Sequence, residues 1–405
     1  MVVVDHTAEP GGAEVALVRL LRALDREQAD VRVVLFSAGP LVAELRGAGV
    51  PVRVMPLAAD VTSVDRYTAG HASWANLVRA VRTVPFVVRL AWLLRRCGAD
   101  LVVTTSLKAD LLGGTAARLA GRRLVWHLHD RIAEDYLPGA MVRLVQAASR
   151  VLPHLVIANS AATAQTVPVR CEVVPPPIDP AWVLDPAAVA ARPGPGEHPV
   201  VGLVGRISPT KGQREFVRAA AMVAVDHRRA QFRIIGSPMF GAEEYAAQVR
   251  AEQAQAEHDG ALAPGQVHWT GFVTDPRAEL DGLDVLVHAS PVPEPFGQVI
   301  VEAMVRGVPV VATRAGGAVQ IVAPDDEDPL GVLVAPGDAR ALADAITLVL
   351  DDPDAARTCA HAARTSAARR FDAASAAARV TSVWNRATSA HTGTIWTDRA
   401  AGWSL

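Results

Sequence analysis

Short runs of β-branched and aliphatic residues alternate with amphipathic segments along most of the chain. Such runs are typical of strands buried on both faces of a parallel sheet, and the segments between them have the period of a helix. This pattern predicts α/β domains with doubly wound parallel sheets. The predicted strands are residues 2–4, 31–36, 101–104, 124–127, 155–158, 200–204, 232–235, 267–269, 285–288, 308–312 and 332–334. The predicted helices include residues 14–24, 213–225, 245–257 and 339–350.

Two proline-rich stretches, residues 173–177 and 192–196, separate the strands into two sets. Proline lacks an amide donor and cannot lie inside a sheet, so these stretches predict an inter-domain linker. We therefore predict an N-terminal Rossmann-like domain over 1–178 and a second over 179–371. Residues 372–405 should form a helix that packs back toward the first domain, followed by a loose tail. Because ligands of such sheets bind beyond the carboxyl ends of the strands, both domains are expected to face one central cleft.

Composition narrows the class of protein. The 405 residues carry a formal net charge of −2, so the chain lacks the basic field expected of a nucleic-acid-binding protein. Cys97, Cys171 and Cys359 are widely spaced and have neither zinc-site nor disulfide spacing. No leader pattern and no apolar stretch long enough to span a bilayer is visible in the sequence. These features favour a cytoplasmic protein.

Lysine is almost absent from this chain. Lys108 and Lys211 are the only lysines among 40 basic residues. A compact ammonium and a planar guanidinium differ chemically, so a lysine kept in an arginine-rich chain can be required for itself. The alternative, that both lysines are unselected remnants, stays open.

The segment from 285 to 311 has the clearest chemical pattern. Prolines at 291, 293 and 295 keep this part out of a helix, so Glu294 should lie on a loop after a strand. A helix is predicted from about Gly297 to Arg306, with Glu302 inside it. The two carboxylates would then lie roughly 10 Å apart, on either side of a helix N-terminus that suits phosphate. Carboxylates accept hydrogen bonds from paired sugar hydroxyls. The alternative is that Glu302 is an ordinary solvated helix residue.

Two basic residues follow the first strand of the second domain. Arg206 and Lys211 could clamp a diphosphate, the arginine by its fork and the lysine as a point charge. The alternative is a pair of surface bases.

Two features of the first domain are candidates for the same ligand. Gly11 and Gly12 join the first strand to the first helix and permit close backbone approach to phosphate, although a simple tight turn is the alternative. His127 and His129 alternate at a strand end and should point the same way, with His129 the better candidate because ligands bind where strands end.

Two other patterns have ordinary structural interpretations. The acidic residues 325–328 resemble a metal-binding motif but are better explained as a solvated loop, and we predict no metal site. Ser160 fits a helix N-cap.

The string Glu294-Pro295-Phe296-Gly297, together with Glu302-Ala303-Met304 and Gly316-Gly317, resembles the donor signature of the retaining glycosyltransferases of family 4. That family has the GT-B fold, and its signature contains two glutamates separated by seven residues.

The resemblance implies a role for each matched residue. Glu294 would contact the donor hexose, and Glu302 would hold the ribose. Arg206 and Lys211 would balance the charge of the leaving nucleotide without a metal, and His129 would face the donor sugar. The predicted catalytic residues are His129, Arg206, Lys211 and Glu294. The predicted donor-binding residues are Gly11, Gly12, Arg206, Lys211, Phe272, Glu294, Phe296, Gly297, Gln298, Val299 and Glu302.

The sequence departs from the family in two places. Pro176 and Pro177 stand where relatives commonly have Asn-Gly, which removes an expected phosphate contact from the linker. The first strand begins at Met1, where relatives usually carry several more residues. The resemblance is weakest between 40 and 120, the part expected to select the acceptor.

Residues 77–96 form a basic amphipathic pattern interrupted by Pro85. Such a helix could rest on the anionic inner face of a membrane, or it could be an ordinary helix at the edge of the domain.

The sequence thus predicts a retaining, metal-independent glycosyltransferase with no cofactor. It would move a hexose from a nucleoside diphosphate sugar, with UDP favoured, to a glycan, a glycolipid or a small molecule. The alternatives are a non-catalytic nucleotide-sugar-binding protein and a nucleotide-sugar epimerase. A phosphorylase is disfavoured because Lys211 is better explained by the diphosphate than by pyridoxal.

Overall fold

In the computed structural model, the described residues are 1–9, 11–26, 29–57, 74–239 and 241–389, with only the backbone described for 74–82. Contacts between residues divide the chain into two compact units. Unit 1 comprises Met1–Pro177 and the segment from Ala373, and unit 2 comprises Ile178–Asp372. Each unit contains one parallel sheet with helices on both faces.

Unit 1 contains a seven-stranded sheet in the order β3-β2-β1-β4-β5-β6-β7, and all its neighbouring strands pair in parallel. The strands are β1 Val2–Asp5, β2 Arg32–Leu35, β3 Val52–Val54, β4 Leu101–Thr104, β5 Arg123–Leu128, β6 Leu155–Ala158 and β7 Glu172–Val173. The helices are α1 Gly12–Ala23, α2 Pro40–Gly47, α3 Trp74–Arg96, α4 Gly114–Leu119, α5 Gly139–Val151, α6 Ala161–Ala164 and, from the C-terminal segment, α15 Ala373–Ser389. A π-helical turn, Ala109–Gly113, leads into α4.

Unit 2 contains a six-stranded parallel sheet in the order β10-β9-β8-β11-β12-β13. The strands are β8 Val200–Val204, β9 Gln231–Ile235, β10 Val267–Gly271, β11 Val285–His288, β12 Val310–Thr313 and β13 Val332–Val334. The helices are α7 Pro186–Ala190, α8 Gln213–Asp226, α9 Glu243–His258, α10 Arg277–Asp281, α11 Gln298–Val305, α12 Gly317–Val322, α13 Ala339–Asp351 and α14 Pro353–Arg370.

Each sheet is covered because its strands present apolar side chains to both faces. In β1, Val2 and Val4 enter the core under α3 to α5, whereas Val3 enters the core under α1, α2 and α15. Strand residues alternate between faces, so a run of valines serves two cores at once. This explains why the predicted strands are continuous apolar runs.

The structure corrects the sequence prediction in two places and leaves a third prediction untested. Two edge strands, β3 and β7, are additional to the predicted set. The strand predicted over 308–312 begins at Val310, because the Val308 amide donates to the Ala303 carbonyl and closes helix α11. The tail predicted to be loose lies outside the described residues from 390 onward.

Candidate active site

Three of the predicted donor residues of unit 2, Arg206, Lys211 and Glu294, lie at one point of its sheet. Strands β8 and β11 are neighbours, yet the chain between them travels outward to β9 and β10. Loops that leave two such neighbours in opposite directions open a crevice beyond the carboxyl ends of the strands. The loop after β8 carries Arg206 and Lys211, and the loop after β11 carries Glu294.

Glu294 is the centre of a charged network in this crevice. Lys211 Nζ donates to its Oε1 atom, and His288 Nε2 contacts its Oε2 atom. The Glu294 side chain is only 14% exposed. Burial works to raise the pKa of Glu294, but Lys211 and His288 outweigh it and hold that pKa well below its ordinary value. Glu294 is therefore a carboxylate whose two oxygens are both engaged.

His288 is the residue of this network that sequence analysis missed. It ends β11, is buried, and has Thr313 Oγ1 from the end of β12 at 3.5 Å from its Nδ1 atom. The signal was present, since His288 is the last residue of a predicted strand and lies six positions before Glu294. What the sequence lacks is the direction in which the loop turns back toward the strand end.

Backbone packing fixes the position of Glu294. Its carbonyl accepts a hydrogen bond of 2.8 Å from the Gly317 amide, and its backbone bridges to Gly316. Gly316 has a φ of +62°, and a Cβ atom there would lie 2.1 Å from the Glu294 carbonyl oxygen. Glycine is thus required at 316 both by the backbone conformation and by the close approach.

A similar constraint places Lys211. Gly212 follows it with a φ of +76°, and a Cβ atom there would lie 1.9 Å from the Ala289 carbonyl oxygen. The two loops therefore touch through their backbones beside the Lys211–Glu294 pair.

The rest of the Arg206 loop is held by a buried glutamine. Gln213 is fully buried at the start of α8 and donates to the Arg206 carbonyl at 2.9 Å. The Ser208 amide approaches the Gln213 Oε1 atom at 3.4 Å. The half-buried Arg206 is thus fixed through its backbone.

Helix α11 begins beside Glu294. Gly297 is its N-cap, with a φ of 108° and no side-chain cap, which suits a phosphate approaching the first-turn amides. Gln298 and Val299 are half-buried in this first turn, and Glu302 is 9% exposed further along the helix.

Two predicted donor residues are placed differently from the others. The Phe296 ring is 4% exposed and packs edge-on against Phe371, with ring centroids 5.6 Å apart, so its side chain belongs to the core. Only its backbone remains a candidate for ligand contact. Phe272, which follows β10, is 59% exposed.

The candidates of unit 1 lie at the carboxyl ends of its own strands. Gly11 caps helix α1 in an extended conformation, and Gly12 is the first helical residue. The rings of His127 and His129 lie on the same side of the strand, as their alternation predicts, with centroids 4.4 Å apart and planes tilted by 34°. Burial lowers the pKa of both histidines, although Asp130 and Asp5 oppose that effect at His129. Within the described residues, the buried Nε2 atom of His129 has no hydrogen-bond partner.

Comparison with known proteins gives the family. Residues 10–182 match the family described as Glycosyltransferase Family 4, and residues 188–366 match Glycosyl transferases group 1. The chain is 32% identical over 286 residues to a 2-deoxystreptamine glucosyltransferase of Streptomyces kanamyceticus, covering 64% of this chain and 70% of that protein. The chain belongs to the family 4, group 1 glycosyltransferases.

A second relative of this glycosyltransferase is matched over a shorter length. The D-inositol 3-phosphate glycosyltransferase of Corynebacterium diphtheriae is 34% identical over 195 residues. This match covers 46% of the present chain and 42% of the relative.

Solved structures confirm the GT-B fold of this glycosyltransferase. HepE from Anabaena, crystallised with UDP and glucose, has a TM-score of 0.78 and 26% identity, covering 95% of this chain and 99% of HepE. The sucrose-phosphate synthase of Thermosynechococcus elongatus has a TM-score of 0.73 at 20% identity, over 96% of this chain and 99% of that one. At that identity the likeness concerns the fold alone.

The described residues can also be compared with what a metal site and a membrane-spanning helix require. Across the described ranges, no three histidine, cysteine or acidic side chains are grouped in a way that could hold a metal ion. None of the described helices combines the length and the apolar character needed to cross a membrane.

Proposed function

We propose that this glycosyltransferase moves a hexose from a UDP-sugar to a hydroxyl of an acceptor, with retention of configuration and without a metal. The observation that carries the proposal is the Glu294 carboxylate, held between Lys211 and His288 beside the N-terminus of α11, which has no side-chain cap. A charged hydrogen-bond acceptor for sugar hydroxyls and a set of hydrogen-bond donors for phosphate lie next to each other there.

The contacts support one set of residues for binding the sugar of the donor and another for binding its diphosphate. A carboxylate oxygen has two lone pairs, so Glu294 can accept sugar hydroxyls while it keeps Lys211 and His288. The Lys211 ammonium has three donors, of which Glu294 takes one. The other two N–H groups of Lys211, the α11 amides and Arg206 are suited to bind a diphosphate.

The preference for UDP comes from relatives. HepE was crystallised with UDP-glucose, and the Streptomyces kanamyceticus relative is named a glucosyltransferase. We therefore propose UDP-glucose as the first donor to test. The same relative supports a hydroxylated ring as one acceptor class, beside glycans and lipid-linked sugars.

The proposed reaction is a transfer on one face of the sugar. The bond between the anomeric carbon and the diphosphate oxygen breaks, and a bond to the acceptor oxygen forms on the same side. The acceptor proton leaves with the departing diphosphate. Arg206, Lys211 and the α11 amides stabilise the charge that develops on that diphosphate, a contribution that is often the largest in such reactions. By resemblance, His129 faces the donor sugar.

Transfer and binding can be tested separately. Thermal unfolding should show stabilisation by UDP and UDP-glucose above that by GDP and GDP-mannose. The doubly substituted Arg206→Ala/Lys211→Ala protein should lose transfer, whereas Arg340→Ala, an exposed arginine of α13, should keep it. NMR of the product's anomeric proton should show retention.

Four results would contradict parts of the proposal. Inversion at the anomeric carbon would reject the retaining mechanism. Full activity of the double variant would reject the diphosphate assignment. Binding of UDP-sugars without transfer to any acceptor would favour a nucleotide-sugar-binding protein, and interconversion of UDP-sugars would favour an epimerase.

We further infer a peripheral contact between helix α3 and an anionic membrane surface. Val84, Val88 and Trp92 lie four residues apart along the helix and are each more than half exposed. Arg89 and Arg96 are exposed on the same helix, and its sequence contains no acidic residue. An apolar stripe flanked by arginines is complementary to anionic headgroups.

A further inference from the structure

A second polar cluster lies in unit 1, at the point of its sheet that corresponds to the crevice of unit 2. Strands β1 and β4 are neighbours in the sheet, and the chain between them runs outward to β2 and β3. The carboxyl ends of these two strands are therefore the place where a ligand of this sheet is expected. The residues at these ends are Asp5 and His6 on one side and Thr105 and Ser106 on the other.

Asp5 is the buried anchor of this cluster. Its side chain is fully buried, Thr105 Oγ1 donates to Oδ2 at 2.6 Å, and Ser106 Oγ donates to Oδ1 at 3.0 Å. Burial works to raise the pKa of Asp5, but hydrogen bonds with His6, Thr105 and Ser106, and the charge that the His6 ring carries when it is protonated, keep that pKa below its ordinary value. Asp5 is therefore a carboxylate with both oxygens bonded inside the protein.

These contacts determine the tautomer of His6. The Nδ1 atom of His6 lies 2.7 Å from Ser106 Oγ and 3.2 Å from Asp5 Oδ1. The carboxylate can only accept, and the Ser106 hydroxyl proton is already donated to Asp5. A proton on Nδ1 therefore satisfies both contacts, so in the neutral form of the ring the lone pair lies on Nε2.

The same contacts exclude a serine nucleophile. In a nucleophilic triad the serine and the carboxylate occupy opposite nitrogens of the imidazole. Here Ser106 and Asp5 both face Nδ1, so the ring cannot take a proton from Ser106 while Asp5 supports its other side. The cluster instead holds the ring and leaves Nε2 available.

The Nε2 side of the His6 ring is accessible. The side chain is 25% exposed, and among the described residues its Nε2 atom has no hydrogen-bond partner. A fixed imidazole with an accessible lone pair accepts a hydrogen bond from a hydroxyl. It does not bind an anion in this form.

We propose that His6 is the acceptor-binding residue of this enzyme, and that its Nε2 atom accepts a hydrogen bond from a hydroxyl of a ring polyol. Asp5 and Ser106 position the ring. The proposal rests on the glycosyl transfer proposed above, in which the acceptor proton leaves with the diphosphate, so His6 orients the hydroxyl without having to keep its proton.

The test uses the full chain with UDP-glucose as donor and 2-deoxystreptamine and myo-inositol as acceptor probes. His6→Ala should raise the acceptor KM by on the order of tenfold, since a hydrogen bond to a neutral group contributes about that much. Thermal stabilisation by UDP-glucose should stay as in the wild type. His6→Gln, which keeps an accepting oxygen, should recover part of the loss. His258→Ala, an exposed histidine at the end of α9, should match the wild type.

Ser106→Ala provides a second measurement of the same arrangement. Loss of the hydroxyl leaves the His6 ring held only by the longer contact to Asp5, so the acceptor KM should rise less than in His6→Ala. An acceptor KM that is unchanged in His6→Ala would overturn the proposal. Use of neither polyol by a wild-type protein that releases UDP from UDP-glucose would also overturn it. A wild type that neither binds UDP-sugars nor releases UDP would instead reject the proposed function itself.

Discussion

The chemistry of single residues here depends on partners that lie far away in sequence. Lys211 and Glu294 were predicted for different parts of the donor, the diphosphate and the sugar, yet they form one ion pair with each other. In the proposed function, a donor that binds here would share Lys211 with Glu294. An arginine at 211 would present a planar fork to Glu294 instead of a point charge.

The depressed pKa of Glu294 makes part of the stability dependent on pH. A carboxyl group whose folded pKa lies below its ordinary value of 4.5 stabilises the fold above that value and loses this contribution as the pH falls. Glu294→Gln should lower the free energy of unfolding by about 2–4 kcal/mol at neutral pH, because it breaks a buried charged network. The difference between wild type and variant should shrink below the ordinary pKa.

Urea unfolding of both proteins at neutral and acid pH measures this difference. Glu197→Gln is the matched control, since its exposed pair with Arg229 should contribute little at any pH. A difference between wild type and Glu294→Gln that stays constant with pH would show that the network does not depress the pKa.

The sequence indicated where the residues of the proposed donor site lie in the fold better than it indicated their partners. Glu294, Glu302 and Gly297 stand close together in the chain, so proline and glycine signals place them on a loop, a helix and a helix start. His288 was missed because its role depends on a loop that folds back. The contact of His6 with Ser106 joins residues 100 positions apart, and nothing local in either segment indicates it.

At the scale of elements, the loops of the proposed donor site are placed by backbone-to-backbone packing. Gly212→Ala should cost about 1–2 kcal/mol for the left-handed conformation and more for the clash with Ala289. It should also weaken stabilisation by UDP-glucose, because the Lys211 loop must move.

The chain offers a control that separates these two costs. Gly260 has a similar φ of +73°, but an added Cβ atom would meet nothing within 4 Å. Gly260→Ala should therefore show the conformational cost alone and leave UDP-glucose binding unchanged. Equal effects in the two variants would mean that close packing at Gly212 does not position Lys211.

Helix α3 can be tested as an isolated surface feature. Trp92→Glu should weaken binding to vesicles of phosphatidylserine and phosphatidylcholine by on the order of tenfold, because it removes an interfacial aromatic and adds a negative charge. Val225→Glu, an exposed position on α8, should bind like the wild type. Sedimentation with vesicles at low and high salt measures both, and equal binding of wild type and Trp92→Glu would reject the membrane contact.

The central elements were predictable because they are long or fully apolar. Strands such as Leu101–Thr104 and Val200–Val204 coincide with their predicted bounds. The edge strands β3 and β7 have three and two residues, and both are only half-buried. Their apolar signal is too short to distinguish a strand from a loop, and their pairing with a neighbour makes them strands.

At the scale of the molecule, unit 1 is assembled from both ends of the chain. Helix α15 packs against α1 and β5, and its Trp384 is 1% exposed. Trp384→Ala should destabilise the protein by about 3–5 kcal/mol, the usual cost of removing a buried tryptophan.

Trp92→Ala is the control for this substitution because Trp92 is 59% exposed. Urea unfolding followed by circular dichroism measures both variants. If Trp384→Ala were as stable as Trp92→Ala, helix α15 would not be a part of the core of unit 1.

Because the chain is synthesised from its N-terminus, the two segments of unit 1 emerge from the ribosome at different times. All of unit 2 leaves the ribosome after the first seven strands and before helix α15. At bacterial or eukaryotic elongation rates of about 5–20 residues per second, the part of the first sheet that α15 covers waits about 10–40 s for that helix. During translation, the half that starts first should be completed last, and its uncovered valines and leucines are the surface that a chaperone would meet.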